Sequence, residues 1–227
     1  MILYHGSELK IIRPRFELGK INNDYGRGFY CAESLKLAKE WACKNGNNGF
    51  ANQYELDCNG LRSLNLLDGK YCILHWMAIL LENRSFSLTT DIAIKSAKWL
   101  RSKYHIDLIE YDVVIGYRAD DSYFAFASMF INNGISLQKL SRAFYLGDLG
   151  TQVVLISPKA FDNLTYIDSS FADKNIYYKR FTDRDLSARY SFRKMRTEDD
   201  GEDVYISDLM KMSEDEIDEC IQRIISR

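Results

Sequence analysis

Apolar and polar positions alternate, fall into a three-to-four-residue rhythm, and alternate again along this chain. A short apolar run at residues 1–4 reads as a strand that Gly6 and Ser7 stop, and a charged, Asn-rich loop follows to Asp24. Within residues 33–44, Leu37, Ala38, Trp41 and Ala42 stand at helical spacing, which predicts an amphipathic helix ending near Asn45-Gly46. Alternation at 50–56 and 61–67 predicts two strands. Residues 71–81 and 91–100 predict two helices, the second with Ile92, Ile94, Ala97 and Leu100 inward, so a helical insert occupies roughly 70–105. The run 111–117 (YDVVIGY) reads as a buried strand, Asp120-Asp121 as the cap of a helix carrying Phe124, Phe126 and Met129, and 136–144 as a further helix. Residues 151–157 (TQVVLIS) form a strand closed by Pro158, and 159–164 a turn or short helix leading to Tyr166-Ile167. Beyond Asp168 the pattern turns helical and charged, with Ser213-Glu214-Asp215-Glu216 as a capping box opening a last helix. Strands first and last with helices between define an α+β class, with one domain over 1–168 and a charged helical extension over 169–227.

Composition narrows the class of molecule. With 46% hydrophobic and 27% charged residues and 2 Pro among 227, a compact body is expected rather than a disordered string. The five cysteines include no C-x-x-C pair, which argues against a disulfide framework or a zinc site and for a reducing compartment. The most apolar run, residues 72–81, is about half the ~20 residues a membrane span needs, and His75 interrupts it. No basic leader precedes the first strand, so a cytoplasmic protein is expected. A net charge of −2 carries no overall signature of nucleic-acid binding. Residues 174–196, however, gather eight basic side chains with Tyr177, Tyr178, Phe181, Tyr190 and Phe192 between them, followed by an acidic tail from Glu198 to Glu219. That block is read as a solvated face or one paired with the tail; phosphate contacts are the alternative.

Two short segments carry candidate chemistry. Leu3-Tyr4-His5-Gly6-Ser7 sets a histidine and a glycine at a strand end, where a side chain and backbone donors can meet a ligand together. Asp24-Tyr25-Gly26-Arg27-Gly28-Phe29-Tyr30-Cys31-Ala32 is a Gly-x-Gly turn running into an aromatic strand, and its glycines permit close backbone approach. It lacks the third glycine and the βαβ setting of a dinucleotide fingerprint. A Cys31–His5 nucleophile pair is a poorer reading, since a lone strand cysteine is more often packing.

In order and spacing, these segments and Gly150-Thr151-Gln152-Val153-Val154-Leu155-Ile156 resemble the NAD-binding core of ADP-ribosyltransferases of the diphtheria toxin and poly(ADP-ribose) polymerase branch. Residues 1–167 are similar to an uncharacterised bacterial family in that superfamily, sharing LYHGS, a GRGFY-like turn, Lys-x-Trp-Ala, Ala119-Asp120-Asp121 and Gln at the late strand. The resemblance implies a split, mostly antiparallel sheet and NAD as substrate. It implies that His5 meets the adenosine ribose, the Gly6 backbone the nicotinamide amide, and Ser7 a ribose hydroxyl. Tyr30 and Trp41 would sandwich the nicotinamide ring, with Ala32 also at the cofactor. Relatives place a glutamate where this chain has Gln152; a neutral amide can hold the ribose hydroxyl but does not offset oxocarbenium charge. A base from elsewhere is then one expectation, with Asp120 or Asp121 as nearest carboxylates. The implied function is transfer of one ADP-ribose unit to a protein or nucleic-acid acceptor, as in a bacterial toxin, effector or phage-defence component with an antitoxin or immunity partner. A catalytically silent nucleotide-binding module and an NAD glycohydrolase are the alternatives.

Overall fold

The computed structural model describes residues 1–118, 121–146, 150–198, 201 and 203–225. In chain order the elements are β1 (Ile2–Ser7), β2 (Phe29–Cys31), α1 (Leu35–Ala42), β3 (Gly49–Leu56), β4 (Ser63–Asn65), α2 (Ile73–Asn83), α3 (Asp91–Tyr104), β5 (Val113–Tyr117), α4 (Asp121–Ile131), α5 (Leu137–Ala143), β6 (Thr151–Leu155), α6 (Pro158–Asp162), β7 (Leu164–Ala172), α7 (Lys174–Arg196), α8 (Ile206–Leu209) and α9 (Glu214–Ile225). The class is α+β. Three strands form one sheet in the order β1-β3-β7, and four form another in the order β2-β6-β5-β4; every pairing is antiparallel except β4 with β5. The sheets meet at a bridge between Tyr4 and Ala32, made by two backbone hydrogen bonds of 2.8 Å.

Strand alternation sorts the four-stranded sheet into two faces. Val153 and Leu155 of β6 and Val113 of β5 point toward Leu3, Tyr54 and Leu56 of the other sheet, forming a small core between the sheets. Val114 and Val154 point the other way, into the main core built on α2. From Ile73 to Leu81 that helix is apolar except for His75, with Leu74, Trp76, Met77, Ala78, Ile79 and Leu80 fully buried, so it becomes the centre of the helical layer. Among the described residues no helix is long and apolar enough to cross a membrane.

Several boundaries differ from the sequence-based expectation for identifiable reasons. Gly6 and Ser7 do not stop β1; they pair with Ala51 and Phe50 inside it. Gly6 is demanded by packing: a Cβ there would lie 2.0 Å from the Ala38 carbonyl oxygen, because α1 crosses this strand with Ala38 and Ala42 facing it. In α3, Ile94 is exposed, and the buried stripe is Ala93, Ser96, Ala97 and Leu100. The chain also does not turn helical at Asp168. β7 carries through to Ala172 as the outer partner of β3, and its polar, largely exposed edge explains why it reads as loop.

The segment after residue 173 packs on the same body. Phe192 of α7 stacks on Phe126 of α4 at 3.7 Å, and Met195, Ile206, Leu209 and Ile217 join the main core. Residues of the acidic tail pair with other elements: Asp203 with Lys139, Glu198 with Arg142, and Glu214 with Lys103. The capping box at Ser213 is present, with the Ser213 N–H donating to Glu216 at 2.8 Å.

Candidate functional site

The seam between the sheets opens into a cleft of ≈ 970 Å³. It is lined by His5 and Gly6 from β1, Tyr30 from β2, Ala32 just after it, Trp41 from α1 and Gln152 from β6. Register explains how residues so far apart in sequence converge. Tyr30 stands opposite Val154, so its side chain shares that residue's face of the sheet, and Gln152 lies two positions along on the same face. Ser7 is not among the lining residues. Its hydroxyl donates to the Leu9 carbonyl and accepts from the buried Asn52 side chain at 3.1 Å. Of the two acids considered as substitutes for a glutamate, Asp120 and the Asp121 side chain lie outside what the structure describes.

His5 is held in one tautomer. Its Nδ1 lies 2.7 Å from the Tyr30 carbonyl oxygen, which only accepts, so Nδ1 carries the proton and Nε2 keeps its lone pair. Burial, partly offset by that bond, lowers its pKa from 6.5 to about 4, with Arg118 and Lys44 adding smaller effects in the same direction as burial. The ring stacks on Phe29 at 4.2 Å. His5 is therefore a neutral acceptor at neutral pH. The Tyr30 hydroxyl is committed to the glycine turn, donating to the Gly26 carbonyl at 2.7 Å and accepting from the Tyr25 N–H at 3.0 Å. Burial pushes its pKa up, so it stays protonated. The turn itself needs its glycines: Gly26 has φ +72°, and a Cβ on Gly28 would lie 2.7 Å from Val154 Cγ1. Cys31 also lines the cleft, and burial raises its pKa, so it is a thiol and not a ready nucleophile.

Trp41 is surrounded by charge. Arg118 and Lys44 lie over its ring at 5.1 and 5.0 Å, and Phe181 of α7 meets it edge-on at 5.6 Å. A stacked cationic ring would have to share the indole with these two cations, so in this arrangement Trp41 holds the guanidinium and ammonium at the cleft wall.

Three features were not read from the sequence. Asp24, the first residue of the glycine-turn segment, is buried in the cleft; it accepts from Arg84 at 2.8 Å and from the Gln152 amide at 3.1 Å. The partners lie 60 and 128 residues away, and the one local hint is an acid directly before the turn. Asn52, fully buried in β3, donates to the His5 and Leu9 carbonyls and accepts from the Ile11 N–H, which fixes the loop that borders the cleft. A polar residue on the inward face of a predicted strand was the signal for it. Finally, α7 supplies Phe181, Asp185 and Arg189 to the lining and is anchored by a buried pair, Arg184 to Glu40 at 2.9 Å. Over the described lining, Arg13, Arg15, Lys20, Lys44, Arg84, Arg118 and Arg189 stand against Asp24 and Asp185, so the cleft favours an anionic ligand.

A family model described as protein of unknown function (DUF3990) matches residues 1–166 of the 227. The chain belongs to the DUF3990 family. No curated protein and no solved structure matches it. The DUF3990 match contains His5, Asp24, Tyr30, Trp41 and Gln152 and ends inside β7, before the α7 residues that complete the cleft.

Proposed function

We propose that the cleft binds NAD and that the protein transfers one ADP-ribose unit from it to a macromolecular acceptor, on an ADP-ribosyltransferase-like split sheet. The observation that carries this reading is the convergence of His5, Tyr30 and Gln152, taken from three separate segments, in one cleft of ≈ 970 Å³ whose wall is cationic. That volume lies in the upper part of the usual range for small-molecule sites, ~300–1,000 Å³. The arginines and lysines offer partners to a diphosphate. His5 Nε2 accepts from a ribose hydroxyl, and Gln152 holds the hydroxyl next to the bond that breaks. Cleavage releases nicotinamide and leaves positive charge on the ribose, which the acceptor's nucleophile then quenches as its proton leaves.

Nicotinamide release and label transfer test the reading together. Purified protein incubated with NAD labelled in its adenylate half and with cell lysate should release nicotinamide and place label in protein or nucleic acid. Gln152→Ala should slow release roughly ten- to a hundredfold, as expected for one lost positioning hydrogen bond. It should melt lower than the wild type because its buried bonds to Asp24 and Tyr117 are lost, so rates are compared below the melting range of both. Release without label transfer assigns an NAD glycohydrolase. Absence of calorimetric binding at millimolar NAD would sink the reading altogether.

A further inference from the structure

The Gln152 side chain is oriented by its neighbours. Its Nε2 lies 2.9 Å from the Tyr117 carbonyl oxygen and 3.1 Å from Asp24 Oδ2, and both of those atoms accept. The amide is therefore fixed with its NH2 group toward them, because the reverse orientation would set its oxygen against two acceptors. What remains for a ligand is Oε1. Like a glutamate oxygen, it can only accept.

The group behind the amide is charged. Asp24 is 6% exposed and Gln152 3%, so their bond lies where little solvent screens it. Arg84 grips the other carboxylate oxygen at 2.8 Å and fixes its direction. A carboxylate bound to an amide N–H draws electron density toward the amide oxygen, and chains of such bonds strengthen one another.

We propose that Asp24 polarises Gln152, so that this neutral amide presents the substrate hydroxyl with an oxygen carrying more negative charge than an isolated amide would. Asp24 is thus a positioning residue that acts through Gln152. The inference rests on the ADP-ribosyltransferase reading and deepens it: the charge relatives place on the late strand is here set one hydrogen bond further back. It also alters what Gln152→Glu does, since that change presses a second carboxylate against Asp24 at the position of a 3.1 Å bond.

A charge swap tests it. Asp24→Asn keeps the shape and removes the charge. It should lower kcat for nicotinamide release roughly ten- to a hundredfold, with KM for NAD held within about twofold. Adding Gln152→Glu to Asp24→Asn moves the carboxylate to position 152 with an amide behind it to donate to one oxygen; even with the Tyr117 carbonyl then facing an acceptor, it should recover at least about tenfold over the single variant. A role confined to bracing the turn at residues 24–28 would give no such recovery. Wild-type kcat in Asp24→Asn, or a folded double variant no faster than the single, overturns the proposal. If Asp24→Asn melts below the assay temperature, the folded double variant is compared with wild type directly: release within about tenfold supports the relay, and an inert double overturns it. Failure of the underlying reading looks different, because wild type then releases no nicotinamide and the relay falls with it. Wild-type release that Gln152→Ala slows and Asp24→Asn leaves unchanged removes the relay alone.

Discussion

His5 shows how a single side chain ties stability to ligand chemistry. Its proton sits on Nδ1 and its ring lies against Phe29, so protonating Nε2 would put a charge into a mostly desolvated pocket beside Arg118. The unfolded chain takes up that proton near pH 6.5 and the folded chain only at about 4. Stability from this residue is therefore full above the unfolded value, falls as pH drops through the window between the two, and levels off below it. His5 keeps part of its surface open to the cleft, so the contribution is about 1–3 kcal/mol rather than the full value of the shift. His5→Asn, whose amide can replace the Nδ1 donor, should lose that part of the slope in urea midpoints measured from pH 7 to pH 4. An identical slope in both proteins would show that His5 titrates normally. At this scale the sequence exposed His5, Tyr30, Trp41 and Gln152, because each stands in a short motif. Asp24 stayed hidden because its meaning lies in Gln152, which only the pairing of β2 with β6 brings beside the turn.

Among the elements, α7 departs furthest from its appearance in the sequence. Its pattern is dominated by charge, and just three of its positions, Ala188, Phe192 and Met195, are buried; spaced four and three apart, they make a stripe too narrow to stand out against eight basic residues. Yet the helix docks through Arg184 and Glu40, whose side chains are 12% and 3% exposed, and sets Phe181 against Trp41. Removing one partner of such a pair leaves the other charge buried. Arg184→Ala should thus cost about 3–5 kcal/mol, whereas Arg184→Met with Glu40→Met should be near neutral. Denaturant midpoints for the single and double variants check this, and equal losses in both would assign the stability to packing. The main strands and helices were legible because periods of two and 3.6 recur over several residues in each. β7 was not: Asp168, Ser169 and Ser170 are consecutive polar residues on the outer strand of a sheet, with Asp168 exposed and Ser169 turned inward to donate to the buried Asn52, so the apolar alternation is lost.

At the scale of the whole molecule, the α+β class followed from the order of the periodic segments, whereas the cleft depended on long-range geometry. The DUF3990 match ends at residue 166, but β7 pairs along the full length of β3 and α7 walls the cleft, so the later residues are part of the site's architecture. Tyr4 and Ala32 join the two sheets through a reciprocal pair of amide-to-carbonyl bonds, with His5 and Gly6 on one side of the joint and Tyr30 and Gln152 on the other. A molecule seated across that joint fastens both halves at once, so the backbone there becomes a native gauge of occupancy. The Tyr4 and Ala32 amides should exchange hydrogen for deuterium at a rate set by how often the sheets part, and saturating NAD should slow both amides together while leaving the α9 amides unchanged. Slowing at only one of the two would mean that the ligand grips a single sheet. With an amide at each side of the joint, the protein carries its own strain gauge, read by mass without a dye, a label or knowledge of the acceptor.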